Sequence, residues 1–406
     1  MSYLDLNLNL TDEQTALKEG IHRFAKEVIR PAGIELDALA SPEEVLRSET
    51  FKRVFRQAYE LGYHSILVTD AYGGLGLDPL EVHIALEEMG WGSSGLAIGI
   101  GVACFPAFMG GVLPEPRVID EIIVPFCECR DASIIGCWAI TEPDHGSDML
   151  MGGTSYFNDP ACSGKVRAVR DGDEWVISGQ KAAWVSNGSI ATHALVYLNI
   201  DPGKGPAGGG IAIVPLDLPG AGKGKPLNKM GQRDLNQGEL FFDQVRIPAE
   251  FMLSDPESYP AMLDITLATA NAAMGAIFTG VARSAYELAL AYSKERVQGG
   301  RPIFEHQSTQ QKLFQMFTKV EAARQLSRAA IIYNFNMIPP ATQYSIASKV
   351  FCTQAAFEVA SDAVQLFGGN GLSKEYPIEK IFRDARASVI EDGSNDILAV
   401  TAGAML

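Results

Sequence analysis

Two carboxylic acids stand side by side near the end of the chain, in the stretch VIEDGSND. Glu391 and Asp392 follow an apolar Val-Ile pair and precede a Gly-Ser-Asn turn. A carboxylate that is held in an apolar pocket has a raised pKa and becomes a stronger base, which suits proton abstraction. Two acids beside a turn are equally typical of a solvated surface loop. The pattern leaves both interpretations open, a catalytic base and a plain turn.

Two stretches in the middle of the chain combine hydroxyl groups with a glycine or an aromatic ring. In CWAITEPDHGSD (137–148), Thr141 and Ser147 supply hydroxyls and Gly146 permits a close backbone approach. In KAAWVSNG (181–188), Trp184 and Ser186 are two residues apart, so on a strand both side chains face the same way. Such groups suit a planar cofactor or a phosphate. Taken singly, a hairpin turn and a core tryptophan are the simpler explanations.

Two further stretches lie among helical segments. ERVQGGRPIFEHQ (295–307) joins two long helices, and its Arg296 and Gln298 are donors that suit a pyrophosphate. An arginine before Gly-Gly is also typical of a helix C-terminus. QLFGGNGLSKEYPIEKIFRDAR (365–386) places Gly368 and Gly369 after an apolar helix, where their amides could contact a ligand or form an ordinary interhelical turn. This glycine run does not follow a strand, so it is not a dinucleotide-binding fingerprint.

The residues named above lie in a chain of three segments that differ in the spacing of their apolar residues, and these segments must position them. Apolar residues recur at helical spacing in the first third of the chain, from a capping signal at Thr11 onwards. Alternating patterns and glycine-rich turns then predict strands, among them a hairpin around Asp171-Gly172-Asp173. Long Ala-rich helical runs follow. We predict an α+β fold, without the alternation of a Rossmann fold. Its domains are an N-terminal helical domain (1–134), a middle antiparallel β-domain (135–254) and a C-terminal helical bundle (255–406).

Composition narrows the possible partners. The 406 residues carry a formal net charge of −16, which argues against nucleic acid or an anionic membrane as the main partner. The apolar stretch from Leu96 to Val112 is broken by glycines and Pro106, which predicts a buried helix and loop rather than a membrane span. The six cysteines have no zinc-site spacing and fit reduced core residues. With no apolar leader after the N-terminus, a cytoplasmic protein with no metal is expected.

Jointly, the chemical stretches resemble one family. WAITEPDHGSD, KAAWVSNG, MGQRDLNQGELFFDQVRIP, ERVQGGRPIFEHQ and QLFGGNGLSKEYPIEKIFRDAR occur in the order and approximate spacing of the acyl-CoA dehydrogenases. The resemblance runs from about Leu10 to the C-terminus. It implies a helical N-terminal domain, a small β-domain and a C-terminal four-helix bundle that builds a homotetramer, a dimer of dimers. It also implies FAD between the β-domain and the bundle, with part of its site supplied by a neighbouring subunit.

The resemblance also implies cofactor contacts, residue by residue. Thr141 is expected to hydrogen-bond the isoalloxazine ring, and Trp184 to pack beside that ring with Ser186 near its N5 edge. Ser147 is expected at the flavin pyrophosphate and also close to the CoA arm. The other implied FAD contacts are Gly146 at the pyrophosphate, Arg296 and Gln298 towards the FAD of the partner subunit, Gln365, Gly368 and Gly369 at the adenosine diphosphate, and Ser394 and Asp396.

The glycine register separates the two acids. The family's C-terminal signature is Tyr-Glu-Gly-Thr, and the same register here reads Glu391-Asp392-Gly393-Ser394. With Gly393 fixed, Asp392 occupies the position of the family's base and Glu391 that of the tyrosine. The alternative base position of the family falls on Ala270, which cannot accept a proton. Asp392 is therefore the predicted catalytic residue, and Glu391 is the runner-up.

The predicted substrate contacts also depart from the usual pattern. Gly101 stands at the far end of the implied acyl pocket, where straight-chain enzymes often carry a bulkier residue. Trp91 is expected to reshape one wall, and Asn271 replaces a usual arginine. Ser147 and Gly393 complete the set. A base one methylene shorter than glutamate and a reshaped pocket suit a branched or alicyclic acyl group such as cyclohexanecarboxyl-CoA. Some dehydrogenases of alicyclic carboxyl-CoA thioesters have an aspartate base.

The family reaction is the FAD-dependent α,β-dehydrogenation of an acyl-CoA thioester to the 2-enoyl-CoA. The resemblance implies that Asp392 abstracts the α-proton while flavin N5 accepts the β-hydride. Electrons then pass to an electron-transferring flavoprotein. Three alternatives stay open: an acyl-CoA oxidase, a 1,4-eliminating dehydrogenase of a cyclic enoyl-CoA, and a non-catalytic family member that binds acyl-CoA.

Overall fold

The computed structural model describes residues 9–406 of the chain. A helical segment comes first, a sheet follows, and a second helical segment completes the order. This order confirms the predicted α+β class. The sheet starts at Gly136 and its last strand ends at Ser254. The exact domain boundaries stay a prediction.

The first segment is helical because its apolar residues recur at helical spacing and its helices carry capping residues. Thr11 Oγ1 accepts a hydrogen bond from the Gln14 N–H, and Gln14 Oε1 accepts one from the Thr11 N–H, which forms the predicted capping box. The helices are α1 (Asp12–Phe24), α2 (Arg30–Asp37), α3 (Pro42–Arg47), α4 (Glu49–Glu60), α5 (Pro79–Gly92), α6 (Ser94–Val102), α7 (Phe105–Val112), α8 (Pro116–Val118) and α9 (Val124–Glu128).

The middle segment forms one twisted sheet. Its strands are β1 (Gly136–Ala139), β2 (Arg167–Asp171), β3 (Glu174–Ser186), β4 (His193–Asn199), β5 (Gly209–Pro215), β6 (Ala221–Lys223), β7 (Gln237–Pro248) and β8 (Met252–Ser254). They pair in the order β6-β7-β3-β2-β4-β5-β8, with β1 beside β4. The predicted hairpin joins β2 to β3, and its turn residue Gly172 has a φ of +62°. Pairing is antiparallel except that β1 and β2 run parallel to β4.

The last segment is a helical bundle. It comprises α10 (Tyr259–Glu295), the short strands β9 (Val297–Gln298) and β10 (Arg301–Pro302), α11 (Gln307–Asn336), α12 (Thr342–Phe367), α13 (Ile378–Ser388) and α14 (Asn395–Gly403). Helices α10, α11 and α12 pack on one another, α13 packs on α10 and α12, and α14 packs on α12. Helix α5 also packs on α10. One hydrophobic core therefore runs through all three segments.

Glycines allow two close helix contacts that shape the interior. A Cβ at Gly275 of α10 would lie 2.2 Å from the Ser348 hydroxyl of α12, so only glycine permits that approach. A Cβ at Gly280 of α10 would lie 2.0 Å from the Glu87 carbonyl of α5. Helix α10 is consequently held close to both neighbours. Bulkier residues at these two positions in the middle of α10 would require α5 or α12 to move.

Among residues 9–406, one helix has the length and apolar composition of a membrane span. That helix is α10, but 89% of its apolar window is buried inside the protein, which is typical of a core helix. The apolar stretch from 96 to 112 forms most of α6 and α7, which meet at a bend of 43°. Both helices are largely buried, as the sequence predicted for this stretch.

Candidate active site

A cavity of about 610 Å³ lies where the three segments meet. Its size is in the range of cofactor and substrate pockets. It is lined mainly by apolar side chains and by a small group of hydroxyls and carboxylates. Its walls include Gly101, Val102 and Phe105 of α6 and α7, Thr141, Ser147, Trp184 and Ser186 of the sheet segment, Ala270, Ala273, Met274 and Ile277 of α10, and the loop from Ile390 to Gly393.

The two acids stand in the loop between α13 and α14. Asp392 and Gly393 have φ angles of +51° and +96°, in the left-handed region. This region is uncommon for an aspartate and marks a backbone that its surroundings hold in place. Both Glu391 and Asp392 line the cavity. The glycine register thus leads to a loop that carries both carboxyls to the cavity wall.

The backbone of this loop offers a donor to the cavity. Within residues 9–406, no protein group accepts a hydrogen bond from the Asp392 N–H. The Gly393–Ser394 peptide is held instead, because the Ser394 N–H donates to Ser147 Oγ at 2.9 Å. Ser394 also caps α14, its Oγ accepting from the Ile397 N–H. An unpaired N–H beside a carboxylate is suited to bind a carbonyl oxygen next to an acidic C–H bond.

The environment of Asp392 makes it a stronger base than an exposed aspartate. Burial raises its pKa to about 6, and the nearby Lys349 ammonium opposes that rise. A carboxyl with a pKa of about 6 is largely ionised at neutral pH. It can therefore accept a proton there and binds that proton more strongly than a solvated carboxylate.

Glu391 is held differently from Asp392. Its Oε2 accepts a hydrogen bond from Gln232 Nε2 at 2.8 Å. Burial raises the pKa of Glu391 to about 7, with a further rise from the adjacent Asp392 charge, while Gln232 and Lys229 lower it. The two carboxyls are coupled, so the negative charge on one disfavours the negative charge on the other. Glu391 is the one more readily kept protonated at neutral pH.

Five of the predicted FAD contacts line the cavity together. They are Thr141, Gly146, Ser147, Trp184 and Ser186. Trp184 is 58% exposed although it lies on a strand beside the cavity, and a planar ring could cover it. A Cβ at Gly146 would meet nothing within 4 Å, so the backbone there is open to a ligand. The hydroxyls, the open glycine and the uncovered indole fit a flavin.

The other implied FAD contacts lie away from this cavity. Asp396 is exposed in the first turn of α14. The remaining five are also exposed: Arg296 and Gln298 by the β9–β10 hairpin, and Gln365, Gly368 and Gly369 at the end of α12. A site shared between subunits needs such residues on the surface of each subunit. Ser394, the seventh, is half-buried, and its N–H donates to Ser147, which lines the cavity. For all twelve implied residues contact with FAD stays a prediction.

The predicted role of Trp91 is wrong. This indole does not line the cavity but packs at the end of α5, under the guanidinium of Arg30, whose carbon is 3.3 Å from the ring centre. Its Nε1 donates a hydrogen bond to Glu287 Oε2 of α10 at 2.7 Å. A buried indole needs a partner for its N–H, and its partner Glu287 does not line the cavity either.

The predicted substrate contact of Asn271 is also wrong. Ala270 lines the cavity, and Asn271, the next residue of α10, is fully buried outside it. Its Nδ2 donates to the Leu267 carbonyl at 2.9 Å. Successive helical residues point about 100° apart, so neighbours on α10 face different sides. Gly101, by contrast, lines the cavity, and a Cβ there would meet nothing within 4 Å.

Three residues near the two acids were not predicted from the sequence as site residues: Lys349, Lys229 and Gln232. Lys349 of α12 is fully buried, and its Nζ donates to the Gly393 carbonyl at 2.7 Å. Lys229 lines the cavity, and Gln232 binds Glu391. Lys349 could have been found as a lysine on the buried face of an Ala-rich helix, between Ser345 and Cys352. The other two belong to the quoted stretch MGQRDLNQ or directly precede it.

The domain descriptions of one protein family match nearly the whole chain. The N-terminal, middle and C-terminal domains of acyl-CoA dehydrogenases match residues 11–109, 137–245 and 263–405. The chain belongs to the acyl-CoA dehydrogenase family. Members of this family are FAD-dependent, so the chain is an oxidoreductase with FAD as its cofactor.

Two curated relatives are similar over almost their whole length. A probable acyl-CoA dehydrogenase of Bacillus subtilis is 32% identical over 400 residues, which cover 97% of each chain. The cyclohex-1-ene-1-carbonyl-CoA dehydrogenase of Geobacter metallireducens is 32% identical over 401 residues, 98% of this chain and 99% of the relative.

Solved structures agree with the fold. Butyryl-CoA dehydrogenase from Megasphaera elsdenii is 29% identical, with a TM-score of 0.85 over 98% of this chain and all of the other. A chain from a structure described as the electron transferring flavoprotein of Acidaminococcus fermentans is also 29% identical, with a TM-score of 0.85 over 99% of this chain and all of the other.

Proposed function

We propose that the enzyme oxidises a bulky acyl-CoA thioester, branched or alicyclic, to the 2-enoyl-CoA, with Asp392 as the base. The observation that carries this proposal is the loop at the cavity wall. There a carboxyl whose pKa is raised to about 6 stands on a residue whose own N–H has no acceptor among the described residues. A base and a carbonyl-binding donor on one residue are suited to enolise a thioester.

The chain's own residues account for the proton transfer. The Asp392 N–H would donate to the thioester carbonyl, which raises the acidity of the adjacent α-hydrogen. The Asp392 carboxylate would accept that proton, and the apolar cavity would exclude water from it. Bound FAD supplies the acceptor for the β-hydride. Thr141, Ser147, Trp184 and Ser186, which line the same cavity, would hold the flavin.

The pocket's shape supports a bulky acyl group. Gly101 leaves open space where a side chain would intrude. Ala270, on the α10 wall, adds only a methyl group to the lining. An aspartate reaches one methylene less far than a glutamate, so the α-carbon must come closer to the loop. The Geobacter metallireducens relative named for cyclohex-1-ene-1-carbonyl-CoA supports an alicyclic substrate. The same relative makes 1,4-elimination of a cyclic enoyl-CoA the second candidate reaction.

Partners and assembly belong to the proposal as well. We infer an electron-transferring flavoprotein as the acceptor, a homotetramer and a cytoplasmic location. The A. fermentans structure described as an electron transferring flavoprotein supports the first. Exposed apolar side chains on α11 and α12, among them Phe314, Tyr344 and Phe351, support an interface between subunits.

An anaerobic screen of CoA thioesters tests the substrate. Butyryl-, isovaleryl-, benzoyl-, cyclohexanecarbonyl- and cyclohex-1-enecarbonyl-CoA would each be mixed with the FAD-loaded enzyme, and the loss of the yellow flavin band followed. We expect cyclohexanecarbonyl-CoA to bleach the flavin faster than butyryl-CoA. Fastest bleaching by cyclohex-1-enecarbonyl-CoA would favour 1,4-elimination. Oxygen consumption in a separate aerobic assay would favour an oxidase. Retained yellow colour with every thioester would contradict a catalytic role.

Paired variants test the base. Asp392→Asn should keep FAD but slow the bleaching by about 100-fold or more, because the amide cannot accept the proton. Glu391→Gln is the matched control, since it removes the neighbouring carboxyl and keeps the shape. Full activity in Asp392→Asn together with loss in Glu391→Gln would transfer the role to Glu391.

A further inference from the structure

A buried lysine of the bundle binds the loop that carries the base. Lys349 lies on α12 and is fully buried. Its Nζ donates to the Gly393 carbonyl at 2.7 Å and to Asn395 Oδ1 at 2.8 Å. A buried ammonium is costly unless it is paired and hydrogen-bonded. The burial of the Lys349 ammonium therefore calls for an explanation beyond the folding of the bundle.

The contact fixes one peptide from both sides. The carbonyl of the Gly393–Ser394 peptide accepts from Lys349, and its N–H donates to Ser147 Oγ at 2.9 Å. Lys349 comes from the bundle, whereas Ser147 comes from the sheet segment. The peptide that directly follows the Asp392–Gly393 pair is thereby clamped between two domains. This clamp accounts for how Asp392 is kept at a φ of +51°.

Asn395 extends the same attachment to α12. Its Nδ2 donates to Thr353 Oγ1 at 3.1 Å and to the Val350 carbonyl at 3.4 Å. The start of α14 is consequently tied to one turn of α12, the turn that follows Lys349. The loop from 391 to 395 thus has polar attachments at both ends, through Glu391 to Gln232 and through Asn395 to α12.

Lys349 is also the cation that acts on Asp392. The charged groups facing the loop are Lys349 of α12, Lys229 of the segment before β7, and the two carboxyls themselves. Gln232 and Ser147 add uncharged contacts. Lys349 opposes the rise in the pKa of both carboxyls, with Asp392 as its stronger electrostatic partner, whereas Lys229 acts on Glu391 and not on Asp392. Burial lowers the pKa of Lys349 to about 8, which leaves it charged at pH 6 to 7.

We propose that Lys349 is a positioning residue for proton abstraction: it holds the Gly393 carbonyl so that Asp392 faces the cavity, and its charge favours ionised Asp392 over ionised Glu391. The inference rests on the proposed function for its kinetic part. Its structural part, the hold on the loop, does not need a substrate.

Three variants separate charge from hydrogen bonding. Lys349→Met removes both, Lys349→Gln keeps a donor for the Gly393 carbonyl without the charge, and Lys312→Met is the control. Lys312 forms an ion pair with Asp362 of α12 at 2.6 Å, away from the loop. The FAD-loaded proteins would be mixed anaerobically with cyclohexanecarbonyl-CoA, and the rate of flavin bleaching followed from pH 5 to 9.

Both Lys349 variants should move the pH–rate profile upward by about one pH unit, because ionising Asp392 loses its counter-charge. At pH 6 that shift alone corresponds to bleaching about fivefold slower, and the effect of the charge should vanish by pH 9. Hydrogen exchange of the peptide covering 389–398, measured without CoA, should rise in Lys349→Met and stay near the unsubstituted value in Lys349→Gln. Lys312→Met should change neither readout.

Each result decides a different point. An unmoved pH profile in both Lys349 variants overturns the electrostatic role, even if the plateau rate falls. Unchanged exchange in Lys349→Met overturns the hold on the loop. If no thioester bleaches the unsubstituted enzyme, the proposed function fails while the exchange result still stands. If the variants do not fold, exchange in the unsubstituted protein from pH 6 to 10 replaces them. The peptide covering 389–398 should be protected there at pH 6 to 7, where Lys349 is charged and bound to the Gly393 carbonyl, and exchange as fast as in an unstructured chain overturns the hold on the loop.

Discussion

Asp392 combines three features that each cost stability. It has a positive φ, it is adjacent to a second acid, and burial raises its pKa to about 6. Such residues persist where the surrounding structure holds them and where activity depends on them. The Lys349 contact with Gly393 and the Ser147 contact with Ser394 supply that hold. The chemistry of the site is thus concentrated in one strained residue.

Replacing Asp392 should stabilise the protein at neutral and alkaline pH. Because its folded pKa is raised to about 6 from an ordinary value near 4, the folded state binds more protons between these values, and stability falls as pH rises through them. Asp392→Asn removes this pH-dependent fall in the free energy of unfolding. Its advantage in free energy of unfolding over the unsubstituted protein should grow by about 1 kcal/mol between pH 5 and pH 8, measured by urea denaturation. Asp173→Asn, in the exposed β2–β3 turn, should show no such growth, and a shrinking advantage for Asp392→Asn would contradict the assignment.

At the scale of elements, the short connection between α13 and α14 decides where the acids point. Gly393 is the residue that makes this connection possible, with a φ of +96°. A Cβ there would lie 2.9 Å from the Leu150 and Leu398 side chains. No side chain fits, and no other residue type takes that backbone readily. The family register that identified Asp392 therefore depends on a steric requirement for glycine.

Gly393→Ala should be more damaging than an alanine at a glycine with positive φ in open space. We expect a loss of about 2–4 kcal/mol in free energy of unfolding, from the left-handed backbone and from overpacking, together with slower flavin bleaching. Gly153→Ala is the control, because Gly153 has a φ of +79° and a Cβ there meets nothing within 4 Å. It should cost about 1 kcal/mol. Equal losses in both variants would show that packing against Leu150 and Leu398 is unimportant.

At the scale of the whole molecule, a buried ionic cluster joins the three segments behind the cavity. Lys380 of α13 contacts Asp384 at 2.6 Å, Asp234 at 3.4 Å and the Ser93 hydroxyl at 3.2 Å. Asp384 in turn accepts from the Gln232 N–H, and the Gln232 side chain binds Glu391. The cluster therefore links the N-terminal helices, the sheet segment and the bundle to the acid pair.

Lys380→Met should destabilise the protein strongly, by about 3–5 kcal/mol, because it leaves two buried carboxylates without their cation. Urea denaturation followed by flavin fluorescence and by far-UV circular dichroism would measure the loss. Lys165→Met is the control, since the Lys165–Asp144 pair is exposed at the surface and should matter little. A small loss in Lys380→Met would mean that this ionic cluster contributes little to holding the three segments together.

The sequence by itself determined the order of segments and the family, and it singled out Asp392 as the predicted base. Hydrophobic periodicity is a local property, so it identified helices and strands directly, and the glycine register distinguished Asp392 from Glu391. The tertiary structure decided which side chains reach the cavity. Trp91 and Asn271 lie on helices that are buried on several faces, so no local pattern tells which face meets the substrate. Lys349 is 43 residues before Asp392 in the chain, and only the packing of α12 against the loop brings its charge to the base.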